Sequence, residues 1–455
     1  MSLPAGDAVA TATAPALPGF AAALRIWGKI GCLSFGGPAG QIALMHRIVV
    51  DELHWVGERR FLQALNFCNL LPGPEAQQLA TYLGWLMHGV RGGLAAGLLF
   101  ILPGALVMLG LSILYVTLGD VPLVAALFFG LKCAVLVLVV EALIRIGRRA
   151  LKGGPACLMA VAAFVALFFL HLPFPLVVLG AAIIGAVLPR HFHGAGHGID
   201  SAGSDALIDR MFRADPDRPR RQGRSARRAG MAALALWLLP VAILVFAIGG
   251  TYGDIAAFFT KMAVVTVGGA YAVLAYVAQD AVGTYHWLSS AEMLTGLGFA
   301  ETTPGPLILV LQFVGFLAGH GAASGPAGIT GALLASCLTL WVTFAPCFAF
   351  VFLGAPVIEK IQGNRALGAS LAAITAAVVG VIASLALWFS LRVLFAEVAA
   401  YDLALLRLEL PVPASLDWRA ALLSLLAALA LFRFRLGVPG TLAITSMGGL
   451  ALAFV

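Results

Sequence analysis

Charge is what this chain has least of: Asp, Glu, Lys and Arg make up 11% of its 455 residues, against 61% hydrophobic side chains. A soluble domain of that length does not stay in solution on such a balance, so the chain belongs in lipid. Long polar stretches are scarce too, with one exception, which leaves no room for a sizeable soluble domain. Residues Met1 to Pro18 lack a basic segment followed by an apolar run; rich in Ala, Pro and Thr, residues 1–18 are expected to be a short disordered tail rather than a cleaved signal peptide. The six cysteines (Cys32, Cys68, Cys133, Cys157, Cys337 and Cys347) include no C-x-x-C pair and fall within apolar segments, so packing is their expected role. There is no H-E-x-x-H and no dinucleotide fingerprint. A membrane-embedded reductase or hydrolase therefore has little to rest on, and neither cofactor nor metal is called for.

What the chain does have is a succession of apolar stretches long enough to approach or cross a hydrocarbon layer of ~30 Å, the last running from Gly437 to Val455. These predict an all-α, polytopic transmembrane helical bundle. The formal net charge of +7 does not point to nucleic acid, because the basic residues sit in short loops between apolar segments, where they set orientation.

A duplication is legible. Lys29 matches Lys261, Gly36-Gly37 matches Gly268-Gly269, His54-Trp55 matches His286-Trp287, and Pro72-Gly73-Pro74 matches Pro304-Gly305-Pro306, every pair 232 residues apart. The organisation expected is a first repeat over 19–189, a basic linker over 190–230, a connecting membrane helix over 231–250 and a second repeat over 251–455. The linker holds Arg210, Arg213, Arg218, Arg220, Arg221, Arg224 and Arg227, which places it in the cytoplasm by the positive-inside rule. Its His191, His193 and His197 lack a carboxylate or Cys at ligand spacing and read as solvated loop residues. Traced outward from the linker, basic turns at 145–152, 360–365 and 433–435 fall inside, while 279–292 and 391–419, richer in acids, fall outside. The two homologous halves are then inverted, with the connecting helix as the odd crossing.

Under that topology two segments per half begin and end on the same side, as re-entrant or broken helices do. In the first half the breaks fall at Phe35 to Gly40 and at Pro72-Gly73-Pro74. Glycine allows unusual backbone angles, and proline interrupts the helical ladder and favours the start of the next helix. Irregular backbone at membrane depth is tolerated only where protein or water satisfies it, so the four breaks are expected to line one shared cavity. Helices starting at Pro38, Pro74 and Pro306 would aim free N–H groups and positive dipole ends into it, which suits an anion.

Lys29 and Lys261, about seven residues or ~10 Å before the glycine breaks, are candidate cationic partners of that anion; snorkelling to the interface is the other reading. Glu75 and Glu301 flank the two Pro-Gly-Pro motifs. A carboxylate beside a dianion must be protonated, so both are candidates for proton coupling, or else they stabilise a helix start and a turn. Ser34, Gln41, Gln77, Gln78, Thr302 and Thr303 would complete a polar shell, either for substrate oxygens or for the broken backbone itself.

The run from Ser34 to Ala43 and the run from Leu70 to Tyr82, with the weaker Val267-Gly268-Gly269-Ala270-Tyr271 and Thr303-Pro304-Gly305-Pro306 in the second half, resemble the bacterial chromate transporter family in its long, two-domain form. That resemblance implies a multi-pass inner-membrane protein that exports chromate, a tetrahedral oxyanion mimicked by sulfate, driven by the proton motive force. A sulfate or other oxyanion importer on the same scaffold is the alternative, and oligomeric state stays open, a homodimer included.

Overall fold

The computed structural model describes residues 18–35, 37–192, 206–215, 218–266, 270–357, 365–403 and 406–453. Helices dominate. The first half contains α1 (Phe20–Leu33), α2 (Gly37–His46), α3 (Glu58–Cys68), α4 (Glu75–Leu118), α5 (Pro122–Ala150), α6 (Gly154–Phe168) and α7 (Phe174–Val187). The linker supplies α8 (Leu207–Ala214) and α9 (Arg218–Ile243). The second half contains α10 (Gly250–Val265), α11 (Ala270–Gly283), α12 (Ser290–Thr302), α13 (Val310–His320), α14 (Gly328–Gly354), α15 (Arg365–Leu394), α16 (Trp418–Ala428) and α17 (Gly437–Ala453). An antiparallel hairpin, β1 (Val398–Leu403) with β2 (Leu406–Pro411), is an addition to the all-helical expectation. It lies in the acidic loop after α15, tied down by a two-bond pair from Arg392 to Glu409 at 2.8 and 3.0 Å.

Among the described residues five helices are long and apolar enough to cross a bilayer: Glu75–Leu118, Pro122–Ala150, Arg221–Ile248, Gly328–Gly354 and Ala366–Leu394. The first is two arms of one hairpin. At His88 and Gly89 the backbone leaves the helical region and the chain reverses, so that Gly84 packs on Gly92 and Thr81 on Gly97. The second half builds the same hairpin from α13 and α14, with Gly315 on Thr339 and Gly319 on Gly331.

Inversion is evident from which residues meet along the membrane depth. The arm 90–118 runs antiparallel to α14, its own counterpart, with Gly93 against Phe352 and Gly97 against Phe348. Counterparts related by an axis along the membrane normal run parallel; antiparallel counterparts require an axis in the membrane plane. The short helices agree. Phe67 of α3 packs on Gly354 at the end of α14, and Phe299 of α12 packs on Tyr115 near the end of α4, so α3 and α12 dip in from opposite faces. With 11 residues, α3 spans ~16 Å, about half the layer.

The crossing that turns the second half over is α9. Its Gly230 meets Leu353 at the end of α14, and α10, the next helix along the chain, sends Tyr252 back to the carbonyl of Pro326 at the start of α14. The helix begins at Arg218, well before the apolar run at Met231, because Arg and Ala favour helix. Gly223, Ala226 and Gly230 face the bundle while Arg221, Arg224, Arg227 and Arg228 are exposed.

The halves are interleaved rather than side by side. Hairpin α6–α7 packs on α15 of the other half, and α16–α17 packs on α5. Small residues set these contacts: a side chain at Gly380 would strike the carbonyl of Ala160, and one at Gly130 the carbonyl of Thr445. Lipid tails are as apolar as leucine, so close backbone approach supplies what the hydrophobic effect cannot between membrane helices. Inversion predicts that, in an otherwise cysteine-free chain, His54→Cys and His286→Cys react with an impermeant maleimide from opposite faces of oriented vesicles. Labelling of both from one face would refute it.

Candidate functional site

Each half breaks twice, and the breaks are knitted together across the halves. Helix α1 ends at Ser34 and α10 at the equivalent Thr266. Each hydroxyl donates to the carbonyl four residues back, Ser34 to Ile30 at 2.6 Å and Thr266 to Met262 at 2.5 Å. Each main-chain carbonyl then accepts from the opposite half. The N–H of Gly305 donates to Ser34 O at 2.8 Å, and the N–H of Gly73 donates to Thr266 O at 2.8 Å. The repeat relates one bond to the other.

Gly73 and Gly305 have φ of +119° and +92°, a region that residues with a Cβ rarely adopt. A Cβ at Gly73 would also stand 2.8 Å from both Cys347 Sγ and Gln78 Nε2. The flanking prolines set the start of the next helix: Pro74 precedes α4, and Pro306 precedes a short 3-10 turn (Leu307–Leu309) that leads into α13. Gly37, with φ of +72°, opens α2. New helices therefore start inside the bundle, each with N–H groups lacking an intrahelical partner.

Polar side chains gather at both junctions. At the Ser34–Gly305 junction, Gln41 Nε2 donates to Gly305 O at 2.5 Å, and Gln312 Nε2 donates to Ala105 O at 3.1 Å, next to Gly104, which lies against Pro304 O. At the Thr266–Gly73 junction, Gln78 Nε2 donates to Pro72 O at 2.7 Å and Gln77 Nε2 to Thr81 Oγ1 at 3.0 Å. The carbonyl oxygens of Gln41, Gln77, Gln78 and Gln312 and the hydroxyl of Thr343 are buried without a protein partner. Buried polar atoms are ordinarily paired, so these mark where water or a ligand completes the network.

Ser34, Gln41, Gly73, Pro74, Gln77, Gln78, Thr303, Pro304, Gly305 and Pro306 are buried at the junctions, with Pro72 half-buried beside them. Gly36, Gly268 and Gly269, like His193 and His197, lie outside the described residues. Lys29 and Lys261 are exposed on the outer faces of α1 and α10 rather than among the buried groups, and the Lys261 ammonium lies 5.4 Å from the centroid of Tyr276. Glu75 is half-buried as the first residue of α4; Glu301 is buried and accepts from the Tyr271 hydroxyl at 2.8 Å. Thr302 is exposed.

Sequence reasoning missed Thr81, Tyr271 as partner of Glu301, Gln312, Thr343 and Cys347. Thr81 and Tyr271 lie in the runs that carry the family resemblance, and Gln312 is a lone amide in an apolar run. Among the described residues the breaks pair two by two across the halves, Ser34 with Gly305 and Thr266 with Gly73. A cavity of about 440 Å³ opens beside the Ser34–Gly305 pair, lined by Phe35, Leu131, Thr302, Pro439, Leu442, Ala443 and Ser446, mostly apolar walls. The arm 90–118 and α14 reach the junctions, Gly104 lying against Pro304 and Cys347 against Gly73.

Inverted halves whose broken helices meet inside the bundle are the architecture of secondary transporters. The chromate transporter family model matches residues 21–186 and 253–453, and the chain belongs to that family. It is 33% identical over 363 residues to a chromate transport protein of Pseudomonas aeruginosa, covering 78% of this chain and 77% of the relative. To a chromate transport protein of Cupriavidus metallidurans it is 27% identical over 356 residues, 78% of each chain. An uncharacterized transporter of Methanocaldococcus jannaschii is 24% identical over 366 residues, 80% of this chain and 83% of the relative. No solved structure matches.

The junction geometry predicts that Gly73→Ala and Gly305→Ala each destabilise the protein by roughly 1–3 kcal/mol, the cost of forcing a side chain into that backbone region. Gly110→Ala, where an added Cβ meets nothing within 4 Å, serves as control. Thermal unfolding in detergent is the measurement; three equal midpoints would contradict the strain argument.

Proposed function

We propose that this chain exports a tetrahedral oxyanion, chromate with sulfate as its mimic, from the cytoplasm across a bacterial inner membrane. The observation that carries the reading is the pair of reciprocal bonds from Gly73 and Gly305, which hold the starts of new helices inside the bundle. Helix starts present N–H donors and positive dipole ends, the groups that a desolvated anion requires. Ser34, Gln41, Gln77, Gln78 and Thr303 lie around them and act as hydrogen-bonding groups for the oxyanion. Family membership and the names of the relatives support the choice of chromate.

The proton motive force supplies the drive. A dianion leaving a negative interior runs downhill by ~2 × 2.3 kcal/mol per 100 mV, whereas uptake against the same potential would need several cotransported cations. Lys29 and Lys261 are cationic partners on the anion's route, one per half, on the outer faces of the first broken helices. Glu75 and Glu301 are the proton-coupling carboxyls, and the Tyr271 hydroxyl holds Glu301 in place.

Everted vesicles carrying the chain are expected to accumulate labelled chromate when energised and to lose the accumulation on addition of a protonophore. Accumulation by right-side-out vesicles instead would reverse the direction and favour a sulfate-type importer. Lys29→Ala and Lys261→Ala should each lower the rate by about tenfold, the effect of losing an ionic contact of ~1.4 kcal/mol, with the protein still present in the membrane. Full rates in both variants would remove the lysines from the route. Glu75→Gln should flatten the pH dependence of transport, and an unchanged profile would deny it the coupling role.

A further inference from the structure

Arg60 and Glu292 occupy the same place in the two repeats, the third residue of α3 and of α12, yet they carry opposite charge and are held by different parts of the chain. Glu292 sits in a capping box with Ser289 and faces the Tyr115 hydroxyl of the bundle: its carboxylate accepts from the Ser289 N–H at 2.7 Å, and its own N–H donates to Ser289 Oγ at 3.2 Å. Arg60 is held by the linker. Its Nε donates to Asp209 Oδ1 of α8 at 2.6 Å, and its guanidinium carbon lies 4.6 Å from the ring centroid of Phe212.

The backbone joins in. The N–H groups of Leu207 and Ile208 donate to the carbonyls of His54 and Trp55, each at 3.0 Å. Ile208 and Met211 are buried, while Arg210 points outward. A helix of eight residues is far too short to persist alone in water, so α8 keeps its form through this docking. The loop it grips has the same backbone in both halves: His54 and His286 have φ of +48° and +52°. The halves thus share the loop, and among the described residues the linker grips one copy of it, that of the first half.

That grip falls at a mechanically significant place. Residues 54–60 lead directly into α3, and α3 leads into the break at Pro72-Gly73-Pro74. Holding the start of α3 holds the re-entrant segment that α3 forms with the start of α4.

We propose that α8 is a conformational clasp on the re-entrant segment formed by α3 and the start of α4: docked, it keeps the end of α3 and the Gly73 junction shut off from the linker face; undocked, it lets that segment open on that face. Arg60 and Asp209 are the positioning residues of the clasp. The device is independent of which anion crosses and of the direction of transport, and its test uses no substrate.

The reporter is Cys68, buried at the end of α3, in a full-length variant that retains it as the sole thiol. Arg60→Asp is expected to raise the rate of maleimide labelling of Cys68 from the linker face by about fivefold, the factor that corresponds to a charge-assisted bond worth ~1 kcal/mol. The exchange Arg60→Asp with Asp209→Arg should return the rate to within about twofold of the parent, a rescue that general loosening of the fold would not produce. An unchanged rate in Arg60→Asp, or an exchange variant as reactive as the single variant, overturns the clasp. If Arg60→Asp fails to reach the membrane, Phe212→Ala and Asp209→Asn are read by the same assay, with raised labelling expected and parental labelling overturning the proposal.

Discussion

Two backbone hydrogen bonds carry the architecture, Gly305 N–H to Ser34 O and Gly73 N–H to Thr266 O. In hydrocarbon an unsatisfied peptide group costs several kcal/mol, so a helix can break at depth only if another segment supplies the missing partner. Here each half supplies what the other lacks. Each half satisfies part of its own breaks, as Gln78 does for Pro72 O, but the Gly73 and Gly305 N–H groups pair across the halves, which requires both copies in opposite orientation. The exchange of terminal hairpins onto α5 and α15 repeats the same dependence on a larger scale.

Symmetry of backbone does not extend to side chains. Along the first arm of α4 stand Glu75, Gln77, Gln78 and Thr81, where the second half has Leu307, Leu309, Val310 and Phe313; Gln41 faces a counterpart of Val273. The second half keeps Glu301 and Thr303 where the first has Asn69 and Leu71. Aromatic packing is likewise one-sided. Phe258, Tyr276, Tyr285 and Trp287 cluster in the second half, with Phe174 from the first stacked on Tyr276 at 5.6 Å. Their counterparts in the first half are Ile26, Leu44, Leu53 and Trp55. Duplication thus preserved the broken-helix frame while the two junctions diverged in chemistry, which a transporter working in one direction can exploit.

The frame was legible because its signals are local. Pro-Gly-Pro ends one helix and starts another wherever it occurs, and the constant spacing between matching residues exposes the duplication without any structure. Basic turns report sidedness one loop at a time, and α9 is the crossing that this reading required. The candidate site was legible only in outline. Ser34 and Gln41 were picked as possible ligands, and the structure adds that they meet Gly305, far away in the chain. The two lysines marked the repeat clearly, yet their outward placement on α1 and α10 depends on which face of each helix packs.

Composition, repeat, basic turns and punctuation by glycine and proline determined by themselves that this is a membrane bundle of two inverted halves with broken helices, since each of those properties is written in residue types along the chain and needs no knowledge of contacts. Only the tertiary structure decided that the breaks pair across the halves, that Tyr271 holds Glu301, that Cys347 stands beside the first motif, and that α8 grips Arg60. Those are contacts between distant segments, selected by the packing of interleaved helices rather than by any local preference.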